Sequence, residues 1–156
     1  MYLVISQWSV VSVCTRMDFR LPYATIKKME PSTTPKTILL VEDDVALNRA
    51  VVFKLEQNGH RVTSVLRAED ALEALRSEHK NIDIIWLDLL LPGMNGIEFL
   101  AEIRKHEDYK DLKVVICSVS GREESKGIAR ELGVVDYLVK SDYDLNTLVD
   151  KVLSYA

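Results

Sequence analysis

Four short apolar runs in this chain each stop at a residue able to hold a phosphate group or a divalent cation. Ile38–Val41 runs into Glu42, Asp43 and Asp44. The run from Ile82 to Leu87, interrupted by Asp83, meets Asp88. Val114–Cys117 ends at Ser118, and the run from Val135 to Val139 ends at Lys140. Runs this short and this apolar read as strands buried on both faces, the kind found in parallel sheets. In an open parallel sheet the carboxyl ends of the strands share one edge, and ligands bind along it. Such a fold gathers three carboxylates, a hydroxyl and an ammonium from positions as remote as Glu42 and Lys140. Together they make a site for metal-assisted phosphoryl transfer.

Between the strands the apolar spacing switches to that of helices. The pattern predicts strands at 37–41, 62–66, 82–87, 113–117 and 135–139. Helices follow at 45–58, 68–77, 96–104, 123–132 and 145–153. Asp44 and Asp144 are placed as N-caps, and Gly59 and Gly133 as stops. Ala71, Leu72 and Leu75 share one helix face, as do Ile97, Leu100 and Ile103, and Leu145, Leu148, Val149 and Val152. Five strand–helix units imply an α/β parallel sheet with helices on both faces.

The chain has 156 residues, room for one ordinary domain. Residues 1–35 break the pattern and carry a balance of +2, against −6 for the remainder. This extension is expected to be disordered or loosely packed, with Met29 as an alternative translation start and 31–36 as a linker. Its first 14 residues lack the basic start of a secretory signal and are too few to span a bilayer. The domain proper is placed at 36–156. A net charge of −4 argues against a nucleic-acid-binding surface, which is normally basic. Two cysteines far apart, Cys14 and Cys117, fit a reducing, cytoplasmic setting.

Asp88 leads into Leu89-Leu90-Leu91-Pro92-Gly93-Met94-Asn95-Gly96, a shaped loop rather than an immediate helix start. A carboxylate there can act as a nucleophile toward phosphorus. Mg²⁺ takes oxygen ligands and usually keeps one or two carboxylates. Glu42 and Asp43 beside Asp88 meet that need, and three clustered carboxylates without a cation would repel one another. Lys140 suits neutralisation of a phosphoryl group, and Ser118 offers it a hydroxyl. Tyr137, three residues before Lys140, is an aromatic able to change rotamer. The histidines His60, His79 and His106 lack metal-ligand spacing and are expected at the surface.

Val41-Glu42-Asp43-Asp44, the segment Leu87–Gly96, Ser118 and Tyr137-Leu138-Val139-Lys140 together resemble the receiver domain of two-component response regulators, in its stand-alone chemotaxis-regulator-like type. The resemblance covers 36–156. It implies a flavodoxin-like doubly wound sheet of five strands in the order 2-1-3-4-5. It implies that Asp88 accepts a phosphoryl group from a sensor histidine kinase or a histidine phosphotransfer protein. Mg²⁺, or Mn²⁺ in its place, would be held by Glu42, Asp43, Asp88 and the main-chain carbonyl of Leu90. Ser118 and Lys140 would contact the phosphoryl oxygens. Ser118 and Tyr137 would pass the change to a downstream protein partner on the face built from the fourth helix, fifth strand and fifth helix. The molecule would be a monomer or a phosphorylation-dependent dimer.

Three positions depart from the family pattern. Ser141 follows Lys140 where proline with a cis bond is common, so a trans loop is expected. Val119 follows Ser118 where alanine is usual, and is expected to narrow the path of the switch loop or kinase. Leu90 and Ser120 occupy the positions that tune phosphoryl lifetime. Leu90 is apolar and cannot orient a hydrolytic water, so slow autodephosphorylation is expected.

Two other readings compete. A degenerate receiver, acting as a phosphorylation-independent binding module, would lack an acidic ligand, Asp88 or Lys140, and all are present. A Mg²⁺-dependent phosphohydrolase or topoisomerase-primase-type domain would usually carry a second Asp at position 90, which is leucine. The chain stops soon after its last helix, which leads to the expectation of action by docking or phosphate relay.

Overall fold

A computed structural model describes residues 34–156. The expectations for the first 33 residues lie outside that range. The strands are β1 (Thr37–Val41), β2 (Arg61–Val65), β3 (Ile84–Leu87), β4 (Val114–Ser118) and β5 (Asp136–Val139). The helices are α1 (Val45–Gln57), α2 (Ala68–Glu78), α3 (Gly96–Arg104), α4 (Glu123–Glu131) and α5 (Leu145–Tyr155). All strand pairs are parallel and the order is β2-β1-β3-β4-β5. This is the flavodoxin-like α/β arrangement expected.

Alternate residues of each inner strand face opposite layers, as the two-residue period of a strand requires. Leu39, Val41, Ile85, Leu87, Val114 and Ile116 pack with Ala71, Leu75, Phe99, Leu100 and Ile103 of α2 and α3. Ile38, Leu40, Ile84, Trp86, Val115 and Cys117 pack with Val51 and Leu55 of α1 and with Leu148, Val149 and Val152 of α5. Both faces of the inner strands are therefore dry, which is why these strands read as unbroken apolar runs.

Local signals set the helix ends. The Asp44 carboxylate accepts from the amides of Ala46 and Leu47, and that of Asp144 from Thr147. At α3 a capping box forms: Asn95 Oδ1 accepts from the amides of Ile97 and Glu98, while Glu98 accepts from the Asn95 amide.

Element ends fall within two residues of expectation, and two departures have a clear physical cause. The third strand begins at Ile84 rather than residue 82. Ile82 is buried, but its amide bonds the His79 carbonyl, and the Asp83 carboxylate accepts from the Thr37 amide, so apolarity there reports burial without ladder pairing. His60 is not a surface residue: it is 7% exposed, and its Nδ1 accepts from the Lys36 amide at 3.2 Å. Burial and the neighbouring Lys36 charge lower its pKa. His79 is half-buried and meets the Tyr109 ring edge-on, while His106 is exposed and stacks on that ring.

Candidate functional site

The carboxyl end of β1 delivers Glu42 and Asp43, and that of β3 delivers Asp88. Parallel pairing of Val41 with Leu87 puts these ends side by side, and the Asp88 amide donates to the Val41 carbonyl at 2.9 Å. One carboxylate oxygen from each of Glu42, Asp43 and Asp88 lies within 4.8 Å of the others. Glu42 and Asp88 are buried, whereas Asp43 is exposed.

Lys140 enters from the end of β5. Its ammonium donates to Glu42 Oε2 at 2.6 Å and to Asp88 Oδ2 at 2.7 Å. Burial pushes the Glu42 carboxyl above its ordinary value, and the Lys140 pair only partly offsets that. Burial works to lower the Lys140 pKa, but its bonds to Asp88 and Glu42 outweigh it and hold the ammonium above its ordinary value. Glu42 Oε1 is buried and has no hydrogen-bond partner among the described residues. An orphaned carboxylate oxygen beside two more carboxylates is a donor set suited to a hard divalent cation.

The loop after Asp88 is held close. The Leu90 amide donates to Asp88 Oδ1 at 3.2 Å, and the Gly96 amide to the Leu89 carbonyl at 3.0 Å. A Cβ on Gly96 would lie 2.3 Å from the Asp88 carbonyl oxygen, so only glycine lets α3 start against the acidic strand end. The Leu90 side chain is 56% exposed.

Ser118 closes β4 and is fully buried. Its hydroxyl accepts from the Ser120 amide at 3.4 Å, and it makes no hydrogen bond to Asp88 among the described residues. The Tyr137 hydroxyl donates to the Ser120 main-chain carbonyl, joining β5 to the β4–α4 loop. Burial raises the Tyr137 pKa. Val119 is 61% exposed. The Lys140–Ser141 peptide is trans and opens a 3-10 turn over Lys140–Asp142.

Asn48 escaped the sequence reading. It lies on the inward face of α1, in register with Val51 and Leu55, yet is polar and 5% exposed. Its Nδ2 donates to the Glu42 carbonyl at 3.0 Å, and its Oδ1 accepts from Ser64 at 2.7 Å. It thereby fixes the main chain of Glu42 against β2. A lone polar residue within an apolar helical stripe was the available signal.

A cavity of ≈ 470 Å³ sits at the opposite sheet edge. Arg104 lines it, but its guanidinium is committed to the carbonyls of Leu112, Leu132 and Gly133.

Comparison with known proteins agrees with this geometry. The sequence profile of the response regulator receiver domain matches residues 38–153. The chain belongs to that family, the phosphorylatable receiver domains of two-component response regulators. It is 33% identical over 105 residues to the phosphate regulon transcriptional regulatory protein PhoB of Escherichia coli, covering 67% of this chain and 45% of PhoB. Identity to the transcriptional regulatory protein AfsQ1 of Streptomyces coelicolor is 34% over 104 residues, covering 67% and 44%. The chain thus spans less than half the length of these relatives. Among solved structures, the Mn²⁺-bound response regulator Rcp1 superposes with a TM-score of 0.64 at 35% identity, covering 77% of this chain and 91% of Rcp1. The phosphorylated cyanobacterial phytochrome response regulator RcpA gives 0.66 at 34%, covering 78% and 91%. Vibrio cholerae CheY4 gives 0.71 at 24%, covering 79% and 100%, a likeness of fold. Receiver domains generally use Mg²⁺. No helix among the described residues is long and apolar enough to cross a membrane.

Proposed function

We propose that this receiver domain accepts a phosphoryl group on Asp88 from a phosphohistidine of a sensor histidine kinase or phosphotransfer protein. The observation that carries the reading is the convergence of Lys140 on the buried pair Glu42 and Asp88, with Glu42 Oε1 left without a partner among the described residues. An Asp88 carboxylate oxygen attacks phosphorus, the nitrogen–phosphorus bond breaks, and its electron pair returns to the partner's imidazole. Glu42, Asp43, Asp88 and the Leu90 carbonyl hold Mg²⁺, or Mn²⁺ in its place. Bound there, the cation neutralises charge on the phosphoryl oxygens. Lys140 turns from its carboxylates toward one phosphoryl oxygen and supplies a fixed positive charge in a water-poor pocket.

Phosphorylation adds about −1.5 to −2 charges at this edge. Ser118 gives up the Ser120 amide and donates to a phosphoryl oxygen. The β4–α4 loop shifts with it, and Tyr137, already bonded to that loop, follows. An equilibrium between two surfaces of α4, β5 and α5 is biased in this way, for a downstream protein partner or a second copy of the chain. The domain works in the cytoplasm, its boundary lies near residue 36, and the preceding segment is an extension. Leu90 gives no polar group to orient water, so the phosphoryl group is long-lived, with Ser120 the second tuning position.

The test is incubation with acetyl phosphate and Mg²⁺. The wild type gains one phosphoryl group, and Asp88→Asn or a chelator abolishes it. Label that persists in Asp88→Asn overturns the assignment.

A further inference from the structure

The loop from Leu89 to Met94 carries the main chain beside Asp88, with Leu89 and Leu91 buried in the core and Leu90 exposed between them. Its inner end is closed by the Gly96 amide on the Leu89 carbonyl, and its outer end meets the α3 capping box. Across from it, at the start of α2, the Glu69 carboxylate accepts from the Met94 amide at 3.1 Å, over a separation of 25 residues. Among the described residues this is the side-chain hydrogen bond that ties the loop to another part of the sheet edge. Arg67 lies 3.5 Å from the same carboxylate. The pair also lies over Gly93, whose φ is +78°, and a Cβ added there would meet Glu69 Oε1 at 2.6 Å and Arg67 Nη2 at 3.3 Å. Loop and acid are therefore fitted to each other: glycine leaves the space that the carboxylate fills.

We infer that Glu69, steered by Arg67, is a positioning residue that holds the Asp88–Met94 loop in the shape needed to present the Leu90 carbonyl and the Asp88 carboxylate to the cation. This rests on the reading of Asp88 and Leu90 as cation ligands. A purely structural role fits poorly, because the Arg67 and Glu69 side chains are 55% and 42% exposed, and exposed ion pairs add little stability. Outer partners that orient ligands, by contrast, act strongly on metal affinity. The Glu69 carboxyl is held below its ordinary value by its own amide and that of Met94, as expected for an anion committed to main-chain donors.

The experiment is a Mg²⁺ titration by calorimetry of the full chain, alongside hydrogen exchange of the Met94 amide and the thermal midpoint. Wild type, Glu69→Ala, Glu69→Gln and Glu73→Ala are compared; Glu73 is an acid on α2 outside the contact. Glu69→Ala should weaken Mg²⁺ binding about tenfold and speed Met94 exchange, with the midpoint matching that of Glu73→Ala. Glu69→Gln keeps an acceptor oxygen and should stay within about threefold of wild type. Mg²⁺ affinity unchanged in Glu69→Ala, an equal loss in Glu73→Ala, or a wild type that binds no Mg²⁺ would each overturn the inference. A wild type that binds Mg²⁺ but takes no phosphoryl group from acetyl phosphate brings down the functional reading instead, and the clamp stands or falls on its own titration.

Discussion

Lys140 Nζ donates to Asp88 Oδ2 across 2.7 Å, although 52 residues separate the two in the chain. The same ammonium serves Glu42, so one cation balances two buried carboxylates. Removing it leaves two like charges adjacent and poorly hydrated. Lys140→Ala should destabilise the metal-free protein by about 3–5 kcal/mol at neutral pH, the range for breaking a buried pair. The Glu42 carboxyl already titrates above its ordinary 4.5 through burial, and losing Lys140 drives it higher. A carboxyl raised in the folded state favours folding at low pH, and that contribution is lost as pH rises through the folded value. Urea midpoints of the variant should therefore recover as pH falls from 7.5 toward 5, and also on adding Mg²⁺. A variant as stable as wild type at pH 7.5 contradicts this.

Asn48 bridges the Glu42 carbonyl and the Ser64 hydroxyl from inside the α1 face. Asn48→Ala leaves both groups without their partner and should cost about 1–3 kcal/mol. Because the bond reaches the main chain of Glu42, Mg²⁺ affinity should drop as well. Chemical denaturation and a Mg²⁺ titration measure the two effects separately.

Gly96 starts α3 against the strand end. An alanine Cβ there would meet the Asp88 carbonyl oxygen at 2.3 Å and Leu89 Cα at 2.7 Å, both main-chain atoms with little freedom. Gly96→Ala should destabilise by about 1–3 kcal/mol, as overpacking does, and slow phosphorylation by acetyl phosphate by displacing Asp88. Gly127→Ala on α4 is the control, since an added Cβ there meets no atom of the described residues within 4 Å. It should be neutral or slightly stabilising.

His60 is buried with Nδ1 accepting from the Lys36 amide, and its pKa lies below the ordinary 6.5. The unfolded chain therefore binds this proton more tightly than the folded one. The contribution is complete above about pH 6.5 and is lost as pH falls through the lowered folded value. The thermal midpoint should drop between pH 7.5 and 5.5, and His60→Gln should flatten that slope. An unchanged slope in His60→Gln contradicts the assignment.

Much of this fold and site is legible in the residues alone. Strands dry on both faces, such as Ile38–Val41 and Val114–Ser118, read as unbroken apolar runs, and the acids and hydroxyl that end them mark the sheet edge. What escaped depends on partners remote in sequence. Ile82 is apolar because it is buried, not because it pairs in the ladder. His60 is buried and bonded to the Lys36 amide, and nothing in its sequence neighbours announces that bond. Asn48 and Glu69 act on main-chain atoms, the Glu42 carbonyl and the Met94 amide, which nearly every residue possesses and no motif records.

The proposed function depends on reversible phosphorylation of one acid at this edge to an acyl phosphate. Reduction of the acyl phosphate with borohydride after loading from acetyl phosphate and Mg²⁺, followed by peptide mass mapping, reads the modified position directly. Conversion is predicted at Asp88 alone, dependent on Mg²⁺. Conversion at another carboxylate, or none in a protein that remains folded, would contradict it.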